Sequence, residues 1–500
     1  MTGKAFYVTT PIYYPNDVPH IGHAYTTVLA DVLARWYRLN GYDVFFLTGT
    51  DEHGLKLQRA AEKVGKTPKE FVDSMVPVFK KYWSLLEIEY SRFIRTTDPD
   101  HEELVKKVFQ RLYEKGYVYK GSYSGWYCVS CEKFYSEGEY VEQGGQKLCP
   151  IHGKPLEWVE EETYFLRLSA VQDEVLKIIE SGGTVFPEAY AREVVGRIRK
   201  EGLKDVSVAR PKTRVYWGVE LPFDRDFVAY VWIDALLNYL TGIGFMRDDD
   251  SFQKYWPEAH HIIGKDILWF HSAIWFSVLR MLGLDPPKRL IVHAYIVNRG
   301  LKMGKSTGNV VMIDDLLERY KSADAVRYLL MRLLNLEKDV EFDQSLLDSI
   351  YNGELADTYG NLVRRAGVLA LRKLGGRVPR ADPDPGLAEL ASSTIKRVAE
   401  LIAEVKVSEA LTATFDLLRE ANSYMNRTEP WALDDPTRPL YNTLEALRVA
   451  TNLLYPVMPV TSELVSRAFG FQLFPPAELA FGQVEEYRVA EAPILFQKVK

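Results

Sequence analysis

The 500-residue chain is poor in cysteine, with three in all. A small, odd number excludes a disulfide framework as the source of stability. No stretch approaches the ~20 consecutive apolar residues of a membrane span. The opening Met1-Thr2-Gly3-Lys4 runs straight into a strand-like segment, without an apolar leader and cleavage site. A cytoplasmic protein with no membrane partner is expected. An overall excess of positive charge is also lacking: the net charge is −6, so a nucleic-acid partner must be met by local basic patches. There are no internal repeats and no low-complexity tracts, which excludes solenoids and disordered arrays. What is present is 47% hydrophobic residues, and at this length about two to four domains can each bury a core.

Residues 5–12 (AFYVTTPI) read as a buried strand, 21–39 as a helix stopped by Gly41, and 43–50 (DVFFLTGT) as a second strand. Amphipathic stretches follow over 54–64, 68–86 and 100–115. This alternation predicts an α/β fold with a parallel sheet. Between about 120 and 225 the pattern changes, and Tyr, Gly and Cys cluster there. Strand-like runs return at 227–233 (FVAYVWI), 260–263 (HHII) and 290–297 (LIVHAYIV). From about 345 onward the chain reads as helical, broken at 375–386 and 434–439. The expected organisation is a Rossmann-type sheet over 1–118 and 226–345, split by an inserted module at 119–225. An all-α bundle with a mixed tail follows at 346–500.

Two short motifs carry phosphate chemistry. Pro19-His20-Ile21-Gly22-His23 sits where the first strand passes into a helix. A helix N-terminus offers unpaired N–H groups and partial positive charge to an anion. Gly22 permits close approach to the backbone, and His20 and His23 can donate to phosphate oxygens. Lys302-Met303-Gly304-Lys305-Ser306 follows the last strand-like run, and two lysines on a glycine-bearing loop can hold a departing pyrophosphate.

A third motif is Cys128-x-x-Cys131, then Cys149-x-x-His152 after seventeen residues, which uses every cysteine in the chain. Four such ligands without an acidic group predict one closed, structural Zn2+.

With its HIGH motif intact and KMSKS altered only at Gly304, the sequence resembles the class I aminoacyl-tRNA synthetases. Four further blocks resemble the methionyl branch: Thr10–Asn16, Thr48–Gly54, Tyr230–Tyr239 and Ile263–His271. The resemblance runs from about residue 6 to about 460. It implies methionine, ATP as its Mg2+ complex, and methionine tRNA, including the initiator, as substrates. It further implies a methionine pocket of Ile12, Tyr14, Trp232, Ala235, Leu236, Tyr239, Ile267 and His271, with Asp51 on the substrate ammonium. Tyr14 and His271 are expected to add weak hydrogen bonds at the sulfur, and Lys265 and Asp266 to contact ATP, along with His20, His23 and Lys305. Asn361, Arg365 and Trp431 fall where the family reads its anticodon. An amide, a guanidinium and an aromatic suit unstacked bases. The module at 119–225 has no room for a hydrolytic editing domain. The ending at Lys500 suggests a monomer. The rivals are a nucleotidylyltransferase of the same superfamily, a cysteinyl synthetase, and an RNA-binding relative without catalysis. The helical bundle, the filled fourth metal position and the intact histidine and lysine pairs argue against each in turn.

Overall fold

The computed structural model describes residues 3–303 and 308–500. Its centre is a parallel sheet of six strands: β1 (Ala5–Thr9), β2 (Asp43–Thr50), β3 (Arg92–Arg95), β4 (Val185–Phe186), β5 (Ala259–Gly264) and β6 (Arg289–His293). They lie in the order β3-β2-β1-β5-β6-β4. Val8, Phe46, Leu47, Ile262, Ile263, Ile291 and Val292 are all sealed from solvent. Both faces of a parallel sheet are covered, so these strands read as continuous apolar runs rather than alternating ones.

The chain adds strands outward from β1 on one side and from β5 on the other. Beyond the carboxyl ends of those two strands the covering segments part, and an open α/β sheet binds ligands there. Thr9 and Gly264 end the strands, so the segments that follow each are delivered to that crevice. The helix α1 (Ile21–Leu39) starts beside it and is closed at its far end by Asn40, whose side-chain amide donates to the Trp36 carbonyl at 2.8 Å.

Residues 118–229 depart from this pattern. Val118–Cys128, Lys133–Tyr135, Glu157–Leu166 and Val206–Ser207 form an antiparallel sheet. Ala209–Pro211, Glu220–Leu221 and Asp224–Ala229 form another. The run 227–233 therefore does not return to the central sheet. Its first part pairs antiparallel in this second sheet, and Val231–Leu236 is helical. A short apolar run cannot separate a strand from a buried helix by periodicity alone. The same region supplies the edge strand β4. The run 290–297 also divides: its first part is β6, whereas Ile296–Asn298 pairs with Leu301–Lys302 and Val340–Glu341.

Beyond residue 345 the helices Asn361–Leu374, Pro385–Ala403, Val407–Thr428, Thr437–Leu454 and Pro459–Phe469 pack together. The tail straps back onto them, with Glu486–Arg488 pairing antiparallel with Arg377–Pro379. Arg327, fully buried, joins this bundle to the sheet. It donates to the Pro456 and Val457 carbonyls and pairs with Asp31 of α1 at 2.7 Å. Among the described residues no helix is long and apolar enough to cross a membrane.

Candidate active site

A cavity of about 390 Å³ opens at the crevice. Its walls include His20, Gly22, His23, Asp266 and Lys302, together with Ile12, Tyr14, Asp51, Trp232, Ala235, Leu236, Tyr239, Ile267 and His271. Segments distant in sequence thus meet on one concave surface. Lys305 and Gly304 lie outside the described residues.

At one end the two histidines cap α1 reciprocally. The Gly22 N–H donates to His20 Nδ1 at 3.0 Å, and the His20 N–H donates to His23 Nδ1 at 3.1 Å. A neutral imidazole that accepts at Nδ1 carries its hydrogen on Nε2. Burial holds His23 well below the usual histidine range, so it is neutral. Each ring therefore presents an Nε2–H as a hydrogen-bond donor beside a helix N-terminus. A Cβ at Gly22 would lie 2.8 Å from His20 Cε1, so an alanine there displaces the ring that caps the helix.

The other end is largely apolar, and two of its polar groups stand out as unpaired among the described residues. Trp232 stacks on Phe270 with ring centroids 4.0 Å apart, and its Nε1–H reaches the Cys131 carbonyl at 3.4 Å. The Tyr239 hydroxyl donates to His271 Nε2 at 2.8 Å, while His271 Nδ1–H donates to the Ile267 carbonyl at 3.0 Å. Both ring nitrogens are thus engaged, and burial lowers His271 to about 4. In this arrangement His271 has no N–H left over for a further donor bond. The two groups that stand out are Asp51 Oδ1 and the Tyr14 hydroxyl, both buried without a hydrogen-bond partner among the described residues. Burial, with Asp234 and Glu132 nearby, pushes the Asp51 carboxyl well above its usual range. A buried orphan carboxylate oxygen costs about 1–3 kcal/mol or more and requires an explanation.

Asp266 pairs with Lys302 across the cavity mouth, and Lys302 lies 4.7 Å from the Tyr295 ring centroid. Lys265 is not in the cavity wall. Its ammonium pairs with Asp339 at 2.8 Å, so a contact with a bound nucleotide requires that pair to open.

Beneath the pocket lies a network that sequence reasoning missed. Asp234 accepts from His53 Nδ1 and from His101 Nε2, each at 2.7 Å, and all three are buried. Burial would lower His53, but the Asp234 carboxylate outweighs it and raises the imidazole to about 10. Burial would raise Asp234, but His53 and His101 hold it at about 2. The pair ties the Thr48–Gly54 block to the helix that carries Trp232 and Ala235. Gly54, at φ +97°, passes beside the Glu132 carboxylate, which a Cβ would approach to 2.6 Å.

Cys128, Cys131, Cys149 and His152 bring their ligand atoms within 4.8 Å of one another. Cys131 Sγ lies 3.4 Å from Cys149 Sγ and 3.2 Å from His152 Nδ1. The edges of a tetrahedron with 2.3 Å metal–sulfur bonds are about 3.7 Å, so the set fits one closed four-coordinate ion. Cys131 and His152 also line the cavity, which places the knuckle against the pocket rather than remote from it.

In the bundle, Arg365 stands over the exposed Trp431 ring at 5.6 Å and donates to Asn426 Oδ1 at 2.8 Å. Asn361, exposed, begins the same helix one turn earlier. Pro430 and Trp431 sit in a turn, and the next helix begins only at Thr437.

Residues 6–367 match the family described as tRNA synthetases class I (M). The methionine–tRNA ligase of Caldanaerobacter subterraneus is 43% identical over 99% of this chain and 79% of its own length. That of Thermotoga maritima is 42% identical over 95% and 76%, respectively. The Mycobacterium tuberculosis methionyl-tRNA synthetase, solved with methionyl-adenylate, superposes with a TM-score of 0.91 at 38% identity over 99% of both chains. With its crevice, its histidine-capped helix and its near-complete alignment to these enzymes, the chain belongs to the methionyl-tRNA synthetases, within class I.

Proposed function

We propose that the cavity holds methionine and ATP end to end, and that the chain joins them before passing the methionyl group to tRNA. The protein is a methionine–tRNA ligase. The observation that carries the assignment of the site is the pair of buried orphans, Asp51 Oδ1 and Tyr14 OH, at the apolar end of a cavity whose other end presents two imidazole donors. An ammonium completes Asp51 by a charge-assisted bond. Ile12, Trp232, Ala235, Leu236, Tyr239, Ile267 and His271 surround the side chain, and a polarizable thioether packs well against such rings. The engaged His271–Tyr239 pair shapes the pocket end, leaving the Tyr14 hydroxyl to meet the substrate.

His20, His23 and the α1 N-terminus receive the phosphates, and Asp266 receives the ribose hydroxyls once Lys302 leaves it. Lys302 and Lys305 then hold the pyrophosphate, with Mg2+ entering on ATP. The methionine carboxylate attacks the α-phosphorus in line, and the bond to pyrophosphate breaks. No side chain needs to act as nucleophile, because positioning and preorganised charge carry the step. In the second step the terminal ribose hydroxyl of tRNA displaces AMP.

Residues 1–118 and 226–345 carry this chemistry, 119–225 the knuckle, and 346–500 anticodon recognition by Asn361, Arg365 and Trp431. The exposed Trp431 ring, with the Arg365 guanidinium 5.6 Å from its centroid, supports that last role. Zn2+ suits the four-ligand knuckle and would act as a structural clamp there. Three thiol ligands and the demand for tRNA and ATP agree with a cytoplasmic setting. Pyrophosphate exchange into ATP, measured with each of the twenty amino acids, tests the reading. Methionine alone is expected to support it. Exchange driven by another amino acid, or by none, refutes it.

A further inference from the structure

Lys56 lines the cavity between its two ends. It is the second residue of the helix Leu55–Lys63, whose first turn contains no acidic residue. A cation at this position opposes the helix dipole, which favours negative charge there, so the placement costs stability. Its backbone N–H donates to Glu132 at 2.7 Å, but its ammonium forms no ion pair among the described residues. The nitrogen rests 4.3 Å from the centroid of the Tyr14 ring, whose hydroxyl is one of the two buried orphans. The charge of Lys56 is felt both by His23 at the phosphate end and by Asp51 at the ammonium end. A lysine set against the dipole, near the Glu132 and Asp51 carboxylates but in direct ion pair with neither among the described residues, is positioned for an anion that arrives from outside.

We infer that Lys56 is a further catalytic residue of the activation step, its ammonium bridging the methionine carboxylate and the α-phosphoryl group of ATP. The inference rests on the proposed placement of methionine and ATP. With the methionine ammonium on Asp51 and the phosphates on the histidines, the atoms that meet beside Lys56 are two anions. One carboxylate oxygen forms the new O–P bond, and the α-phosphorus loses its bond to the pyrophosphate oxygen. Pyrophosphate leaves with that electron pair, and no proton is transferred. A fixed cation lowers the repulsion between carboxylate and phosphate and stabilises the oxygens of the five-coordinate phosphorus, where preorganised charge is most effective.

The test compares the wild type, Lys56→Gln and Lys56→Arg in single-turnover adenylate formation, alongside binding of methioninol, which lacks the carboxylate. Lys56→Gln is expected to slow adenylate formation ~10²–10³-fold, the loss typical of one preorganised donor, while methioninol binds as in the wild type. Lys56→Arg, which keeps the charge, is expected to recover at least ~10-fold of that loss. A near wild-type rate in Lys56→Gln overturns the inference. So does a parallel loss of methioninol affinity, which marks a structural role, or an arginine variant no better than glutamine. Should the wild type itself form no adenylate with methionine, the proposed function fails. Should it do so while Lys56→Gln matches it, only the role of Lys56 fails.

Discussion

Replacing Asp51 by asparagine should make the free protein more stable and the methionine complex much weaker. The substitution keeps the shape of the side chain and removes its charge. In the free protein the carboxylate is buried, one oxygen has no partner, and its pKa is raised by burial and by Asp234 and Glu132. A carboxyl with a raised folded-state pKa destabilises the fold above the unfolded value of 3.8, because the unfolded chain ionises first. Asparagine escapes that penalty, so the variant should gain about 1 kcal/mol or more at neutral pH. The gain should shrink toward acid and vanish below the unfolded pKa. Binding moves the opposite way. A charge-assisted hydrogen bond to a buried carboxylate contributes about 2–3 kcal/mol, so methionine Kd should rise about 30- to 150-fold. The assay is a fluorescence titration that uses Trp232 in the cavity wall, run beside urea denaturation of both proteins. The deaminated analogue 4-(methylthio)butanoate supplies the cycle: the wild type should lose comparable affinity for it, and the variant should discriminate little between it and methionine. A variant that is less stable, or that binds methionine as the wild type does, would refute the reasoning.

Gly22→Ala should displace the His20 ring that a Cβ would touch at 2.8 Å, lowering the rate of pyrophosphate exchange ~10²-fold while leaving methionine binding within about 2-fold. Cys149→Ser should reduce bound zinc from one per chain toward none, as read by metal analysis, and should lower the unfolding midpoint. The folded His271 titrates at about 4 against 6.5 when unfolded. Unfolded chains therefore take up the proton first as pH falls from 6.5 to 4, and stability falls with pH over that window. Between pH 7.5 and 5 this one group should cost about 2 kcal/mol, and urea titrations of His271→Gln should show that much less acid sensitivity. Trp431→Ala should weaken tRNA charging at least ~10-fold with exchange nearly intact, since base–aromatic stacking is worth about 1–3 kcal/mol; equal loss of both would instead make Trp431 a structural residue.

What could be read from the chain before its fold was known divides along a physical line. The histidine motif and the knuckle spacing each lie in one short segment, and their chemistry depends on spacing that the segment itself supplies, whereas most of the lysine motif lies outside the described residues. The parallel strands β1, β2 and β6 announced themselves because burial on both faces favours runs of apolar residues. The features that escaped depend on tertiary partners. Asp234, His53 and His101 meet only once the fold is made, and nothing local to any of them marks it. Lys265 is a nucleotide contact by resemblance alone, and nothing local to it marks the pair it forms with Asp339 outside the cavity wall. The strand β4 has two residues, too few for any periodicity. The run FVAYVWI is apolar enough for a strand of the central sheet, but its first residues pair with Ala209–Pro211 on one side and Glu220 on the other, which makes them part of the middle strand of another sheet. Lys56 has one local sign, a basic residue in a first helical turn, and that sign acquires meaning only when the cavity is seen beside it.

The central claim is that one cavity holds both substrates at once, with their reacting atoms in contact. Competition binding with a non-hydrolysable methionyl-adenylate analogue addresses it most directly. The account predicts one analogue per chain, bound more tightly than methionine or ATP alone, excluding both, and weakened by Asp51→Asn and by Gly22→Ala. An analogue that binds while methionine or ATP remains in place would contradict it.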